Sequence, residues 1–336
     1  MAQLLKVHGS QNKFFILDQT SLKQQLNDQE LVSLAKQITN PQTGILHGAD
    51  GLLVVNHSTH PGVTAQMRVI NADGSEASMC GNGIRTVARY VAEKTGQDSF
   101  QIETMKADLR VAKHDEFAPG VPAYAAEISP VLFDKKDLPF DNLGRSRIID
   151  NYVPELAPKL KFTSLAVPNP HLIAFMDEKT ITGPLLGQLG RRLNGQNPYY
   201  SDGVNVNFAK IIDHNQLFVR TFERGVGFTN ACGTGMSATT LAFALTHPNM
   251  ADFDQPITVY NPGGMVKTIV HFDEDHYWIE LIGNATVTEQ IKTDELALHQ
   301  ANVTISNSTI TVTDEQAAYE KFVNDLPKPV HIDVLK

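Results

Sequence analysis

The sequence predicts an α+β protein made of two copies of one lobe, and three observations carry that prediction. The only cysteines in the 336 residues open near-identical turns, Cys80-Gly81-Asn82-Gly83 and Cys232-Gly233-Thr234-Gly235. At the separation set by the two cysteines, Ala49-Asp50-Gly51-Leu52 falls on Ser201-Asp202-Gly203-Val204, Arg68 on Arg220, and Asn71 on Glu223. Around both cysteines the order is the same: a short strand-like run, a Gly-containing turn, Cys-Gly-x-Gly, then a helix-like stretch.

The elements follow in order. Asn12 precedes the apolar run Phe14-Phe15-Ile16-Leu17, and Asn169 precedes Leu172-Ile173-Ala174-Phe175 at a slightly longer offset, as loops permit. A helical stripe at Leu31, Leu34, Ala35 and Ile38 precedes the first Asp-Gly element. Another at Leu186, Leu189 and Leu193 precedes the second. After Cys80, apolar residues at Ile84, Val87, Ala88 and Val91 mark one helix face, with Gly96 as its stop. After Cys232, Met236, Thr240, Phe243 and Ala244 give a similar face that Pro248 ends. The lobes are therefore expected at about residues 1–155 and 156–290. Two regions break the repeat. Residues 114–160 are rich in charge and proline (Pro119, Pro122, Pro130, Pro139, Pro154, Pro158) and read as an insertion plus the linker between lobes. Residues 291–336 form a C-terminal extension with no counterpart. Within it Thr313-Asp314-Glu315-Gln316 has the pattern of a capping box. Ala317, Ala318, Phe322 and Val323 continue it as a helix that Pro327 stops, and this helix is given a packing or interface role.

Composition narrows the function. Two domains suit this length, and 42 % hydrophobic with 19 % charged residues gives a chain able to pack a core. A net charge of −9 argues against nucleic acid or an anionic lipid surface as partner. No apolar run approaches the ~18 residues of a membrane span. The N-terminal Met1-Ala2-Gln3-Leu4-Leu5-Lys6 has no secretion-signal pattern. Two cysteines exclude a disulfide-stapled scaffold and a four-cysteine zinc site. The expected setting is the reducing cytoplasm. His57 and His60 have no third ligand in reach, so no metal site is expected.

Each cysteine is placed at the first turn of a helix, where the dipole favours a thiolate. The flanking glycines let backbone N–H groups approach an anion, and a carboxylate is the natural small ligand for such a nest. Two such lobes facing one another offer two thiols around one carboxylate. A thiolate can remove a proton from one face of a carbon while a thiol delivers one to the other, with roles exchanged in reverse. The pair titrates as a coupled unit. The carbanion is favoured by amides aimed at the carboxylate. This scheme requires no metal or organic cofactor. Competing readings are buried structural cysteines, a disulfide, and a nicotinamide site at Gly233-Thr234-Gly235-Met236-Ser237-Ala238. The last lacks a surrounding run of βαβ units.

At these residues the chain resembles the diaminopimelate epimerases, cofactor-independent enzymes of bacterial lysine and cell-wall biosynthesis. The similar stretches are Val7-His8-Gly9-Ser10-Gln11-Asn12, Gly48-Ala49-Asp50-Gly51-Leu52, Asn71-Ala72-Asp73-Gly74-Ser75, Met79 to Arg85, Asn169-Pro170-His171, Val204-Asn205-Val206, Glu223-Arg224-Gly225 and Ala231 to Gly235. They run in the family's order over residues 4–290. The resemblance implies lobes that are largely antiparallel sheets wrapped around a central helix, with the active site in the cleft between them. It implies a homodimer and a small amino-acid substrate with two zwitterionic ends. Cys80 and Cys232 would be the acid/base pair. Gly81, Asn82, Gly233 and Thr234 would hold the carboxylate of the reacting centre. Asn12, Asn71, Asn169, Asn205 and Arg224 would hold the amino and carboxyl groups of the two ends. Glu223 and His171 would sit beside the thiols and adjust their protonation. Amides that both donate and accept suit a zwitterion, and Arg224 can take a carboxylate in a forked contact.

The chain departs from the family's usual pattern at Gln11-Asn12-Lys13-Phe14, at Phe228 before Thr229, and at Gly283-Asn284-Ala285. The alternative within the fold is a two-thiol racemase of another amino acid, such as proline. Asn71, Asn205 and Arg224 argue for a second charged end, which proline lacks. The alternative from another class is a non-enzymatic or redox protein whose cysteines only pack or pair.

Overall fold

Alternating apolar residues with both sheet faces covered dictate the architecture. The computed structural model describes residues 1–138 and 140–332. It divides into two units, Met1–Ala126 with Ile282–Asp325, and Glu127–Leu281 with Leu326–Lys336. The division falls at residue 126, ahead of the boundary expected near 155. Most of the expected C-terminal extension, to Asp325, belongs to the first unit. Pro139 and the end of the extension lie outside the described residues. No described helix is long and apolar enough to cross a membrane.

In the first unit the strands run, in hydrogen-bonded order, Ser308–Val312, Thr286–Thr293, Ala2–Gly9, Asn12–Asp18, Gly51–Asn56, Ala65–Asn71, Ser99–Glu103, Asp108–His114 and Ala123–Ile128. Neighbours are antiparallel except where Asn12–Asp18 meets Gly51–Asn56 and Ala65–Asn71 meets Ser99–Glu103. Side chains alternate across the sheet. Phe14, Ile16, Leu53 and Val55 pack on the helix Gly81–Thr95 through Ile84, Val87, Ala88 and Val91. Phe15, Leu17, Leu52 and Val54 pack on the helix Asp28–Thr39 through Leu31, Leu34, Ala35 and Ile38. Asn27 and Glu30 start that second helix with a reciprocal capping box. Gly96, at φ 72°, ends the Cys80 helix, a left-handed position that costs glycine little.

The second unit repeats this plan. Lys161–Ala166 is antiparallel to Pro170–Phe175, which is parallel to Asn205–Asp213. Gln216–Glu223 follows antiparallel, Ile257–Asn261 parallel, and Gly264–Asp273 antiparallel. The same succession of directions runs from Ala2–Gly9 to Asp108–His114. In each unit a short strand folds back on the fourth of these, Glu76–Ala77 in one and Gly227–Thr229 in the other. The Cys-Gly-x-Gly turn and central helix come next. The helix Gly233–Thr246 is buried continuously from Gly235 to Ala244. It is apolar all round, as a core helix must be, and not only on the expected face. The helix Leu185–Asn194 buries Leu186, Leu189 and Leu193 in the cluster with Phe208, Phe218 and Phe222.

Two strands lie inside the proline-rich stretch. Ala123–Ile128 pairs with Asp108–His114, and Ile148–Tyr152 with Lys161–Ala166. Alanines hide the first, because small residues read poorly as strand yet pack well in a sheet's interior. The terminal helix forms at Glu315–Asp325. Its expected capping box does not close. The Thr313 hydroxyl accepts from the Glu315 N–H (3.4 Å), but the Gln316 amide meets His8 Nε2 (3.0 Å) and Glu320 (2.7 Å). A buried imidazole without a partner is the costlier vacancy, so His8 takes Gln316. The helix packs on its own unit through the Arg89–Glu315 fork (2.6 and 2.7 Å) and Tyr319 against the His8 ring (4.7 Å).

Candidate active site

Cys80 is the N-cap of its helix, with extended backbone at φ −139° and ψ 112°. Its sulfur accepts the Gly83 N–H at 3.3 Å, the role an N-cap oxygen ordinarily plays. Asn12 Oδ1 lies 3.8 Å from that sulfur and accepts from Asn82 Nδ2 at 3.4 Å. Asp50 orients Asn12 by accepting its Nδ2 (2.5 Å) and the Lys13 N–H (2.8 Å). Cys80, Asn82 and Asn12 are therefore brought together. Gly81 joins them through its carbonyl, which accepts from Arg85 Nη1 (3.0 Å). Gly83 also makes room: a Cβ there would stand 2.9 Å from Leu53 Cδ2. Asn71 ends its strand opposite Gly51, and its amide nitrogen donates to Ser75 Oγ (2.9 Å). It makes no hydrogen bond to the Cys80 cluster.

Cys232 is the N-cap of the second central helix, with φ −128° and ψ 104°. It is buried, lies 3.6 Å from Thr234 Oγ1, and is hydrogen-bonded to the Glu223 carboxyl. Burial first and the adjacent Glu223 second push the Cys232 thiol up to about 12. Burial also raises Glu223, against the hydrogen bond from Cys232. Cys80 is raised as well, by burial, while the Gly83 and Asn82 N–H groups and then Arg85 pull it down. The helix-end N–H groups do favour the thiolate, as expected, but burial outweighs them and the net direction is upward. Desolvation of a sulfur anion outweighs a pair of peptide dipoles.

His171 is fully buried, and burial, then Arg224, depress it to about 3, so the ring is neutral. Its Nδ1 accepts from Asn207 Nδ2 (3.0 Å), and its Nε2–H donates to Asn169 Oδ1 (3.0 Å). It hydrogen-bonds to no sulfur. Asn207 is fixed in turn by the Asn205 carbonyl (3.3 Å) on its nitrogen and the Thr221 hydroxyl (2.8 Å) on its oxygen. A Cβ on Gly235 would meet Asn207 Oδ1 at 2.5 Å and Cys232 Sγ at 3.2 Å, so this chain of amides abuts the Cys232 turn. Asn205 spends its amide on the Pro170 carbonyl (3.1 Å) and the Arg224 N–H (2.8 Å), shaping the turn after Glu223. Arg224 is exposed, with Nη1 on the Asp202 carbonyl (3.0 Å). Gly233 and Thr234 are half-buried at the open end of the helix.

Two residues were missed by sequence reasoning. Asn207 carried a signal, since Asn205 and Asn207 sit at i and i+2 among apolar residues and so share an inward face. Arg85 carried none, lying one step off the apolar stripe. Among the described residues, His60 pairs with Asp108 (2.8 Å), and no group of three or more His, Cys, Asp or Glu could hold a metal. Each unit thus offers a thiol at a helix N-terminus, Cys80 beside the Asn12 and Asn82 amides and Cys232 beside Thr234 and Glu223, a setting suited to proton transfer beside a carboxylate.

A family model described as diaminopimelate epimerase matches residues 4–125 and 163–288. A diaminopimelate epimerase of Ligilactobacillus salivarius is 53 % identical over 326 residues, covering 96 % of this chain and 99 % of that one. One from Lactiplantibacillus plantarum is 52 % identical over 331 residues, covering 97 % and 99 %. Among solved structures, a PhzF-family phenazine biosynthesis protein of Bacillus anthracis superposes with a TM-score of 0.56 at 15 % identity, over 86 % of this chain and 97 % of that one. A probable proline racemase of Agrobacterium radiobacter gives 0.53 at 13 %, over 97 % and 100 %. At those identities the likeness is one of fold, a mixed α+β protein with two lobes.

Proposed function

The chain belongs to the diaminopimelate epimerase family, and from that premise we propose that Cys80 and Cys232 are the two acid/base groups of an enzyme interconverting LL- and meso-diaminopimelate. It is an isomerase of lysine and peptidoglycan-precursor biosynthesis. The observation that carries the residue assignment is the repeat itself. Two units of the same topology each place a cysteine as N-cap of the central helix.

In the proposed mechanism one sulfur serves each face of a single α-carbon. The substrate carboxylate binds the N–H groups of Gly81-Asn82 and Gly233-Thr234, whose dipoles meet the charge that grows there as the proton leaves. The thiolate takes the α-proton, and the opposing thiol supplies one to the other face. The sulfurs exchange protonation states, and the reverse reaction restores them. Asn12, Asn71, Asn169 and Arg224 position the amino and carboxyl groups of the two ends, and Asn205 contributes by holding the Arg224 N–H and the Pro170 carbonyl. The Asn207–His171–Asn169 chain supports a definite polarity. With Asn169 Oδ1 occupied by His171, its NH₂ remains to donate to a carboxylate. Glu223 opposes ionisation of Cys232, and His171 acts through Asn169. We further propose a cytoplasmic homodimer; retention of thiols in a chain otherwise free of cysteine suits a reducing compartment.

The test is exchange of the substrate α-hydrogen with deuterated water by the purified protein without added cofactor. Cys80→Ala and Cys232→Ala should each fold and each lose epimerisation by at least about a thousandfold. Full activity in both variants would refute the assignment.

A further inference from the structure

The two units are alike in topology but opposite in the charge each sets beside its cysteine. Arg85, five residues after Cys80, is fully buried, and no carboxylate pairs with it. Its Nη1 donates to the Gly81 carbonyl (3.0 Å), and its Nη2 to Asn82 Oδ1 (3.0 Å) and Ser10 Oγ (3.3 Å). Its Nε has no partner. Gly9 and Gly283 leave the room it occupies: a Cβ on Gly9 would reach 3.1 Å from Nη2, and one on Gly283 would reach 2.8 Å from Cζ. One turn on, Arg89 is treated in the ordinary way, forked onto Glu315 and bonded to Glu93. A buried guanidinium among neutral acceptors is expensive unless an anion comes to meet it.

The position equivalent to Arg85 in the second unit is Ser237, five residues after Cys232. Its hydroxyl donates to the Gly233 carbonyl at 3.0 Å, as Arg85 does to Gly81. The same backbone contact is thus made by a cation in one unit and a neutral hydroxyl in the other. The strand ends that the repeat aligns differ too: neutral Asn71, turned to Ser75, in the first unit, and Glu223, bonded to Cys232, in the second.

Resting on the two-thiol reading, we propose that Arg85 is a positioning residue that makes Cys80 the more readily ionised of the two thiols, its buried, carboxylate-free guanidinium set beside the Cys80 turn where the second unit has Ser237. When Cys80 gives up its proton, Arg85 is the cation that favours the thiolate. Cys232, with Glu223 against it and no cation at the Ser237 position, rests as the thiol. The groups facing Cys80 are Arg85 on its own helix and Asp50 from the neighbouring loop, which opposes ionisation. Asp50 is already engaged by Asn12 and the Lys13 N–H. Tyr319 of the terminal helix also faces Arg85, but burial holds it neutral, with its pKa pushed up to about 12. Arg85 is drawn down by burial to about 10 and stays charged at neutral pH.

The test is the pH dependence of iodoacetamide alkylation of the full chain, with each cysteine read separately by peptide mass spectrometry. In the unaltered protein Cys80 should ionise below Cys232. Arg85→Ser, which copies the second unit, and Arg85→Gln should raise the Cys80 midpoint by about 1 pH unit and leave Cys232 in place. Arg85→Lys should restore most of the Cys80 shift. A Cys80 midpoint unmoved in folded Arg85→Ser and Arg85→Gln would overturn the proposal. Should neither fold, the unaltered chain still decides, because a buried charge is poorly screened. Its Cys80 midpoint should stay within ~0.2 unit between 0.05 and 1 M salt, and a larger rise would assign the effect to surface charge. Loss of the two-thiol reading would appear instead as deuterium exchange persisting in both cysteine variants, a separate readout.

Discussion

At the scale of single residues, the site is governed by which polar groups are buried and what meets them. His171 and His8 are both buried, and burial drives their pKa values down to about 3 and about 4. The unfolded chain, with ordinary histidines, binds protons first as pH falls. Their contribution is therefore fully present above about pH 6.5 and lost as pH drops toward 4 and 3. Each costs about 1.4 kcal/mol per pH unit in that window. Urea unfolding should show a loss of roughly 4 kcal/mol between pH 7 and pH 5, and His8→Gln should remove about half of that slope. A stability flat over this range would mean that the imidazoles are not buried neutral. At this scale the helix-end setting of the cysteines was legible from their type and spacing, whereas Asn12 and Glu223, which the fold sets beside them, came only from the family resemblance. Asn205 was expected as a site residue from the resemblance, but its engagement of Pro170 and Arg224 was not foreseen, since no local pattern reports which amide a fold engages. The depressed His171 was equally invisible, because desolvation is a property of the packed unit.

At the scale of elements, helices and strands follow from periodicity wherever one face is polar. The stripe at Ile84, Val87, Ala88 and Val91 and the stop at Gly96 were readable for that reason. The Cys232 helix was read too narrowly, because a helix buried all round has no stripe to find. The strand at Ala123–Ile128 was hidden by alanine and flanking prolines. The terminal helix Glu315–Asp325 was readable from its composition, but not its anchor, a long-range fork onto Arg89. That anchor is testable. Glu315→Ala leaves the largely buried Arg89 guanidinium with the Glu93 carboxylate and the Ala285 carbonyl alone and strips the Val287 N–H of its acceptor. It should destabilise the protein by about 2–3 kcal/mol in urea, with Glu315→Gln costing less because it keeps an acceptor. No loss in either variant would show that the terminal helix contributes nothing to the stability of its unit.

At the scale of the whole molecule, duplication was the most legible feature, because a repeat is a statement about sequence alone. Its boundaries were not. Residues 282–325 return to the first unit through pairing of Thr286–Thr293 with Ala2–Gly9, a contact between the two ends of the chain that no local signal announces. The duplicated plan also explains how one reaction obtains two different groups from one motif. Topology supplies the equivalent cysteines, and the single exchanges Arg85 for Ser237 and Asn71 for Glu223 make them unequal. The central claim is that both sulfurs serve one substrate carbon. It is tested most directly by mild oxidation of the substrate-free protein followed by non-reducing peptide mapping. The account predicts a Cys80–Cys232 disulfide formed within one chain, activity lost in step with it, and recovery on reduction. Oxidation that consumes both thiols without ever joining them, or inactivation with both thiols still free, would contradict it.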